Sequence, residues 1–344
     1  MRIGMLTAGG DCPGLNAVIR AIARSAMQQG DEAIGIRRGY RGLAENDYMP
    51  LDMSQVTGIL HQGGTILGTS SYEPIREDAV DKVAAAFERE RLDAVVAIGG
   101  EHTMEITRQL HADHGLPLVG VPKTIDNDVG GTDFTFGFDT AVQIVTDAID
   151  RLHTTAQSHD RIMVVEVMGR NTGWIAAYAG IAGGADCIVI PEQTTTVEEI
   201  CHDVTRRHDR GKDFSIIVVA EGAKLAFASG EERLIQPIKD SDEYGYPRLG
   251  GIGAALAHEL ERLTGYETRV TVLGHVQRGG TPTSTDRVLA TMYGAHAYEM
   301  VKAGEFGRMT AIHGTEMTSV PLEEAVKVKQ VDLGMLEIAK RFFT

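Results

Sequence analysis

The feature that most constrains this chain is the recurrence of short, continuous apolar runs with amphipathic stretches between them. These short runs read as strands near Ile3–Leu6, Ala33–Ile36, Ala94–Ile98, Leu118–Val121, Ile162–Val167, Ile188–Ile190, Ile216–Ala220, Val270–Leu273 and Thr310–Ile312. Between them, a helical apolar period predicts helices over Leu15–Gln29, Ala79–Glu90, Thr103–His111, Thr140–Leu152, Trp174–Ala182, Val197–Arg210, Gly253–Thr264, Arg287–Ala303 and Leu333–Phe342. Such alternation predicts an α/β fold with parallel sheets covered by helices. Strands that are apolar throughout, rather than at every second residue, suit burial on both faces. A chain of 344 residues fits about two domains. The polar stretch Ala228–Leu249 reads as an irregular loop, either covering a site or running over the surface.

Charge and composition narrow the function. The formal charge of −15 argues against a general nucleic-acid or membrane-surface binder, although local arginines can still hold an anionic substrate. Hydrophobic content of 43% and charged content of 24% are those of a globular protein. No apolar run reaches membrane-spanning length, and Cys12, Cys187 and Cys201 lack metal-site or disulfide-framework spacing. The expectation is a cytoplasmic protein in a reducing compartment. Forty glycines cluster in pairs after apolar runs, which suggests tight turns and close ligand approach.

The segment Pro122-Lys123-Thr124-Ile125-Asp126-Asn127-Asp128 follows the run Leu116 to Val121. It places a lysine, a hydroxyl and two carboxylates at a strand's carboxyl end, where open α/β sheets bind ligands. A cation neutralises phosphate and a neighbouring carboxylate takes an acceptor's proton, so the set suits phosphoryl transfer. Taken alone, the same residues would also serve as a plain polar turn.

Two glycine loops repeat one logic. Gly9-Gly10 follows the first strand and leads into a helix, and Gly99-Gly100-Glu101-His102-Thr103 follows another. Backbone amides of paired glycines and a helix N-terminus both favour an anion. Neither loop has the dinucleotide or Walker spacing. Glu101 could hold Mg²⁺ beside a phosphate donor, or simply begin a helix against its dipole. Further along the chain, Arg161, Arg170, Arg269 and Arg278 flank strands, and guanidinium groups bind phosphate with paired hydrogen bonds. Glu221 ends a strand, where it could accept sugar hydroxyls or cap a turn, and His275 sits in a turn.

Together these segments resemble the 6-phosphofructokinase family. The resemblance rests on GGDCPGLNAVIR (9–20), GGTILG (63–68), the loop 99–103, TIDND (124–128), SHDRIMVVEVMGR (158–170) and TRVTVLGHVQRGG (268–280). The form PKTIDND with GGE is similar to the branch holding pyrophosphate-dependent and actinobacterial ATP-dependent enzymes. It implies two similar Rossmann-like domains with mainly parallel sheets, an active site in the cleft between them, and a homotetramer or homodimer. The division expected is 1–138 with 251–303 for the donor, and 139–250 with 304–344 for the sugar phosphate. By resemblance, Asp126 is the general base toward the 1-hydroxyl of fructose 6-phosphate and Lys123 neutralises donor charge. Thr124 and Asp128 position the acceptor, and Glu101 is the magnesium-associated acid. Arg161 and Arg269 reach the 6-phosphate, often across a subunit interface. Met168, Gly169, Arg170, Glu221, His275 and Arg278 supply further sugar-phosphate contacts. Gly9, Gly10, Gly100, His102 and Thr103 fall in the donor site.

Three departures from the family pattern concern donor and regulation. ATP users resemble glycine after the loop acid, and pyrophosphate users resemble aspartate there with lysine before TIDND; this chain has Lys123 with His102. An imidazole crowds a nucleotide much as aspartate does, so pyrophosphate is the expected donor and ATP the alternative. Ser71 stands where the family has an arginine near the transferring phosphoryl, a loss that Arg76 or Lys123 could offset. Met53, His153 and Phe214 replace members of an effector-binding ring in which Arg20 and Arg24 remain, so little regulation of that kind is expected. The rivals are a non-catalytic regulatory subunit, an enzyme preferring another sugar phosphate such as sedoheptulose 7-phosphate, and a dehydrogenase.

Overall fold

The computed structural model describes residues 1–226, 238–241, 247–248 and 250–341, with side chains for 1–226 and 250–341. Its contacts divide the chain into two units, Met1–Thr140 with Arg278–Lys329, and Ala141–Gln277 with Gln330–Thr344. In chain order the first unit begins β1 (Arg2–Thr7), α1 (Leu15–Gln28), β2 (Glu32–Ile36), α2 (Tyr40–Glu45), β3 (Tyr48–Pro50), α3 (Met53–Val56) and α4 (Val80–Glu90). It continues with β4 (Ala94–Gly99), α5 (Glu101–His114), β5 (Leu118–Thr124), β6 (Phe136–Gly137) and the first turn of α6 (Phe138–His159). The second unit holds β7 (Ile162–Val167), α7 (Trp174–Ala182), β8 (Cys187–Val189), β9 (Thr195–Thr196), α8 (Val197–Asp209), β10 (Ser215–Ala220) and β11 (Leu225–Ala226). Next come β12 (Ile238–Ser241), β13 (Pro247–Arg248), α9 (Ile252–Thr264), β14 (Thr268–Val272) and a 3-10 turn, Gly274–Arg278. The chain then returns to the first unit for α10 (Ser284–Ala303), β15 (Arg308–His313), β16 (Glu316–Pro321) and α11 (Leu322–Ala325). It ends in the second with α12 (Leu333–Lys340).

The first unit's main sheet runs β16-β15-β5-β4-β1-β2-β3, with β6 paired to β5. Its centre is parallel, and only the edge pairs β15/β16 and β2/β3 are antiparallel. All six residues of β4 are buried, as expected of a strand covered on both faces. Each fully buried valine or isoleucine there contributes roughly 1.5–3 kcal/mol. From β1 the chain steps outward to β2, then returns to the other side as β4. The crevice beyond the carboxyl ends of β1 and β4 is therefore a topological switch point, the place where such sheets bind ligands. Both glycine loops begin there.

Helix α1 buries Leu15, Val18, Ile19, Ile22 and Ala26, one face at helical spacing, and packs on α10. The crossing is close because Gly294 of α10 has no Cβ; one added there would lie 2.7 Å from the Val18 carbonyl oxygen. Asp286 of α10 lies under the start of α6, accepting the amides of Gly137 (2.9 Å) and Thr140 (2.8 Å). It thus satisfies helix donors that have no intrahelical partner.

The second unit's main sheet runs β14-β7-β10-β8, all parallel. Its core joins Ile162, Val164, Ile217 and Val219 to Ile200, Leu256 and Leu260 from α8 and α9. Glu166 is buried inside β7, where its carboxylate accepts the amides of Gly251 (3.2 Å) and Gly253 (2.8 Å) at the start of α9. An acid in a strand is tolerable here because the helix end supplies donors and positive dipole. A capping box formed by Thr196 and Glu199 opens α8.

The strand pairing draws the division differently from the one expected at two places. Residues 251–277 lie with the second unit because β14 pairs with β7, and 304–329 lie with the first because β15 pairs with β5. Within the expected loop Ala228–Leu249, β12 and β13 pair antiparallel, and the rest lies outside the described residues. So does the expected helix end at Phe342. No helix among the described residues is long and apolar enough to cross a membrane.

Candidate active site

The first unit brings Gly9, Gly10, Lys123 and Arg278 together. Lys123 is 4% exposed, and its ammonium donates to the Gly10 carbonyl oxygen. Burial pushes its pKa below the ordinary lysine value, while Asp11 and Asp126 favour the charge and Arg278 opposes it. A Cβ added to Gly10 would lie 3.0 Å from Arg278 Nη1, so glycine lets the guanidinium approach the loop. Gly9 has φ 77°, the left-handed region that favours glycine. Two cations thus stand at the first glycine loop, and Arg278, which the resemblance gave to the sugar phosphate, lies beside the loop expected to hold the donor. Cys12, in the same loop, is a buried thiol whose pKa burial raises strongly, so it is inert there.

The turn after β5 is internally braced. Asp126 donates its amide to Thr124 Oγ1 at 3.0 Å, and the Thr124 hydroxyl bonds the Asp128 carboxylate. Asn127 has φ 50°, a left-handed conformation that asparagine tolerates. Its side-chain oxygen accepts from the Thr135 amide (3.0 Å) and from Lys329 Nζ (3.1 Å). Lys329 also donates to the carbonyls of Thr132 (2.9 Å) and Asp133 (2.7 Å), while its amide donates to the Asp128 carbonyl (2.8 Å). Burial lowers its pKa to about 8, with Asp133 and Asp128 acting the other way. No sequence motif pointed to Lys329, because its contacts are made about 200 residues away along the chain.

Glu101 opens α5 and is half-buried. Burial raises its pKa, and the charge of Asp128 raises it further. Burial also raises Asp128. Two neighbouring carboxylates whose charged forms are disfavoured make a donor set that a hard divalent cation would stabilise. Among the described residues no group of three or more acids, histidines or cysteines could hold a metal by itself. A magnesium ion held by one or two carboxylates, with phosphate oxygens and water completing its shell, fits that set.

His102 Nε2 lies 3.2 Å from Glu73 Oε2, and Arg76 Nε lies 2.9 Å from the same oxygen. Arg76, one of two groups that could replace the cation missing at Ser71, is therefore engaged by Glu73. Thr103 is buried, with its side chain filling the space a Gly99 Cβ would need.

In the second unit the sugar-phosphate candidates gather at the carboxyl ends of β7, β10 and β14. The Met168 amide donates to Gln277 Oε1 (3.3 Å), and Gln277 Nε2 donates to the Gly274 carbonyl (3.0 Å). Gly222 donates to the Gly169 carbonyl (3.0 Å), and a Cβ on Gly222 would lie 1.9 Å from the Arg170 carbonyl oxygen. Met168, Gly169, Arg170, Glu221 and His275 therefore line neighbouring loops. Arg161 and Arg269 do not join them. They stand at the amino ends of β7 and β14, where both pair with Glu267, Arg161 at 2.9 Å. The length of β7 separates Arg161 from Met168 by roughly 20 Å at the usual rise per strand residue.

Of the effector-ring positions, Arg20 and Arg24 are neighbours whose like charge adds to the burial that lowers the Arg20 pKa. His153 bonds the Gly183 carbonyl (2.7 Å) and meets Phe214 edge-on, and Arg207 lies over that ring while pairing with Asp186 (2.9 Å).

A glycine anion cradle with a buried lysine, a braced carboxylate turn and a pair of electrostatically coupled acids defines an α/β phosphotransferase. The chain belongs to the phosphofructokinase family, whose model matches residues 2–301. An ATP-dependent 6-phosphofructokinase 3 of Streptomyces coelicolor is 52% identical over 334 residues, covering 95% of each chain. A pyrophosphate–fructose 6-phosphate 1-phosphotransferase of the same organism is 50% identical over 346 residues, covering 100% of both. Among solved structures, the phosphofructokinase of Saccharomyces cerevisiae is similar with a TM-score of 0.81 and 31% identity, over 99% of this chain and 46% of that longer one. A pyrophosphate-dependent phosphofructokinase of Nitrosospira multiformis has a TM-score of 0.83 at 19% identity, a likeness of fold alone.

Proposed function

We propose that the protein is a cytoplasmic, magnesium-dependent enzyme that transfers a phosphoryl group to the 1-hydroxyl of fructose 6-phosphate, with pyrophosphate as donor. The observation that carries the reading is the meeting of Gly10, Lys123 and Arg278 at the switch point of the sheet that also presents Asp126. Asp126 accepts the proton as the hydroxyl oxygen attacks the terminal phosphorus. The new oxygen–phosphorus bond forms, the bridging bond of the donor breaks, and its electron pair leaves with orthophosphate. Lys123 and Arg278 neutralise the donor's charge, the amides of Gly10 and Gly100 face its oxygens, and Gly9 shapes the loop that presents them. Magnesium held by Glu101 with Asp128 would supply charge neutralisation and donor alignment when bound. Arg170, Glu221 and His275 hold the sugar phosphate, with Met168 and Gly169 shaping their loop. Arg161 and Arg269, at the opposite ends of their strands from these loops, serve a neighbouring copy in a homodimer or homotetramer.

Pyrophosphate is favoured because His102 rather than glycine follows Glu101, leaving less room for a nucleoside. ATP is the second reading, supported by the 52% identity to an enzyme named as ATP-dependent. Initial rates with fructose 6-phosphate and magnesium, comparing the two donors, test both. Faster transfer from pyrophosphate supports the first reading, and the reverse order supports the second. Absence of transfer from either donor would overturn the enzymatic reading.

A further inference from the structure

The segment after the 63–68 turn crosses the same crevice in which the donor is placed above. At one end, Thr69 Oγ1 donates to the Gly9 carbonyl and the Gly9 amide donates to the Ser70 carbonyl at 3.2 Å. At the other, Glu73 reaches the first turn of α5 and meets His102 Nε2 at 3.2 Å. The segment is thus fastened to the loop after β1 and to the helix after β4, on the two sides of the switch point. Glu73 is only 15% exposed, and one of its oxygens also takes Arg76 at 2.9 Å. A carboxylate shared by two nitrogen donors and shielded from water is a firmer tether than an exposed ion pair.

We propose that residues 69–73 form a strap across the donor crevice, and that Glu73, by holding His102, makes the site select a compact donor over a nucleoside triphosphate. This deepens the reading under Proposed function and rests on its placement of the donor. Pyrophosphate ends at its second phosphorus and fits with the strap fastened. A nucleoside triphosphate carries a third phosphate and a nucleoside that must leave the crevice past His102, so it binds only after the contact with Glu73 is broken. Glu73 touches no reacting atom in this account; it is a positioning residue that acts through His102. Specificity then comes from the cost of opening for the wrong donor, rather than from added attraction to the right one.

The test is calorimetric binding of pyrophosphate and of ATP, each with magnesium, to the parent, Glu73→Gln, Glu73→Ala, His102→Gly and the Glu73→Ala/His102→Gly double variant. Glu73→Ala should improve ATP affinity relative to pyrophosphate about tenfold, and Glu73→Gln less, because an amide oxygen still accepts from Nε2–H. In the His102→Gly background the Glu73 substitution should change the ratio less than twofold, since the group it holds is gone. Thermal unfolding of each variant checks that the fold is retained. A ratio within twofold of the parent in Glu73→Ala, or an equal shift with and without His102, would overturn the strap. Transfer rates of the parent, measured separately, decide the enzymatic reading, so either can fail while the other stands.

Discussion

Replacing Lys123 by methionine removes an ammonium group while keeping most of its volume, and the structure sets opposite expectations for rate and stability. The side chain is 4% exposed, so the charge acts where water screens it little. Loss of one preorganised donor to a developing anion costs about 10²- to 10³-fold in turnover, or roughly 3–4 kcal/mol of transition-state stabilisation. Stability should respond far less. The desolvation that lowers the Lys123 pKa shows that folding already opposes this charge. Removing it relieves that penalty, while leaving the Gly10 carbonyl unpaired costs about 1–3 kcal/mol, so the net change should lie within about 2 kcal/mol of zero. The assay is kcat and KM for each substrate beside urea denaturation of the same preparation. Turnover should collapse, with the sugar-phosphate KM within about threefold and the unfolding midpoint nearly unchanged. A fall in turnover of less than fivefold would refute the placement of Lys123 against the donor.

Two further substitutions probe what holds the site. Lys329→Met removes three hydrogen bonds, one to Asn127 within the 124–128 turn and two that tie it to the Thr132 and Asp133 carbonyls, so kcat should fall about tenfold with a loss near 2 kcal/mol of stability, and Lys329→Arg should restore part of the rate; unchanged kcat in urea-stable protein would contradict that bracing. Asp286 has its pKa pushed up by burial to about 6, above the unfolded 3.8, so its ionisation disfavours the fold. Stability should therefore fall by up to about 3 kcal/mol as pH rises from about 4 to 6, and Asp286→Asn should remove that part of the slope. Urea titrations at the two pH values check this, and an identical slope in both proteins would contradict it.

The parallel core was legible because strands covered on both faces must be apolar throughout. Runs such as Ala94–Ile98 and Ile216–Ala220 announce themselves without knowledge of their neighbours. Edge strands carry no such signal. β16 reads Glu-Met-Thr-Ser-Val-Pro, is only partly buried, and becomes a strand through pairing with β15. The same dependence on distant partners misplaced the division at 251–277 and 304–329, since pairing with β7 or β5 decides membership. Residues on strand-end turns were readable as site candidates because turn chemistry is local. Arg161 and Arg269 also flank strands, but nothing local tells which edge of a sheet faces a ligand. Glu73 and Lys329 escaped notice because their roles come from contacts that the fold creates.

The central claim is that Asp126 takes the proton of the sugar's 1-hydroxyl. Its most direct test is Asp126→Ala, comparing turnover with fructose 6-phosphate binding by calorimetry on the same protein. Turnover lower by about 10³-fold, with binding held within about threefold, is the predicted result. Turnover close to the parent's would contradict it.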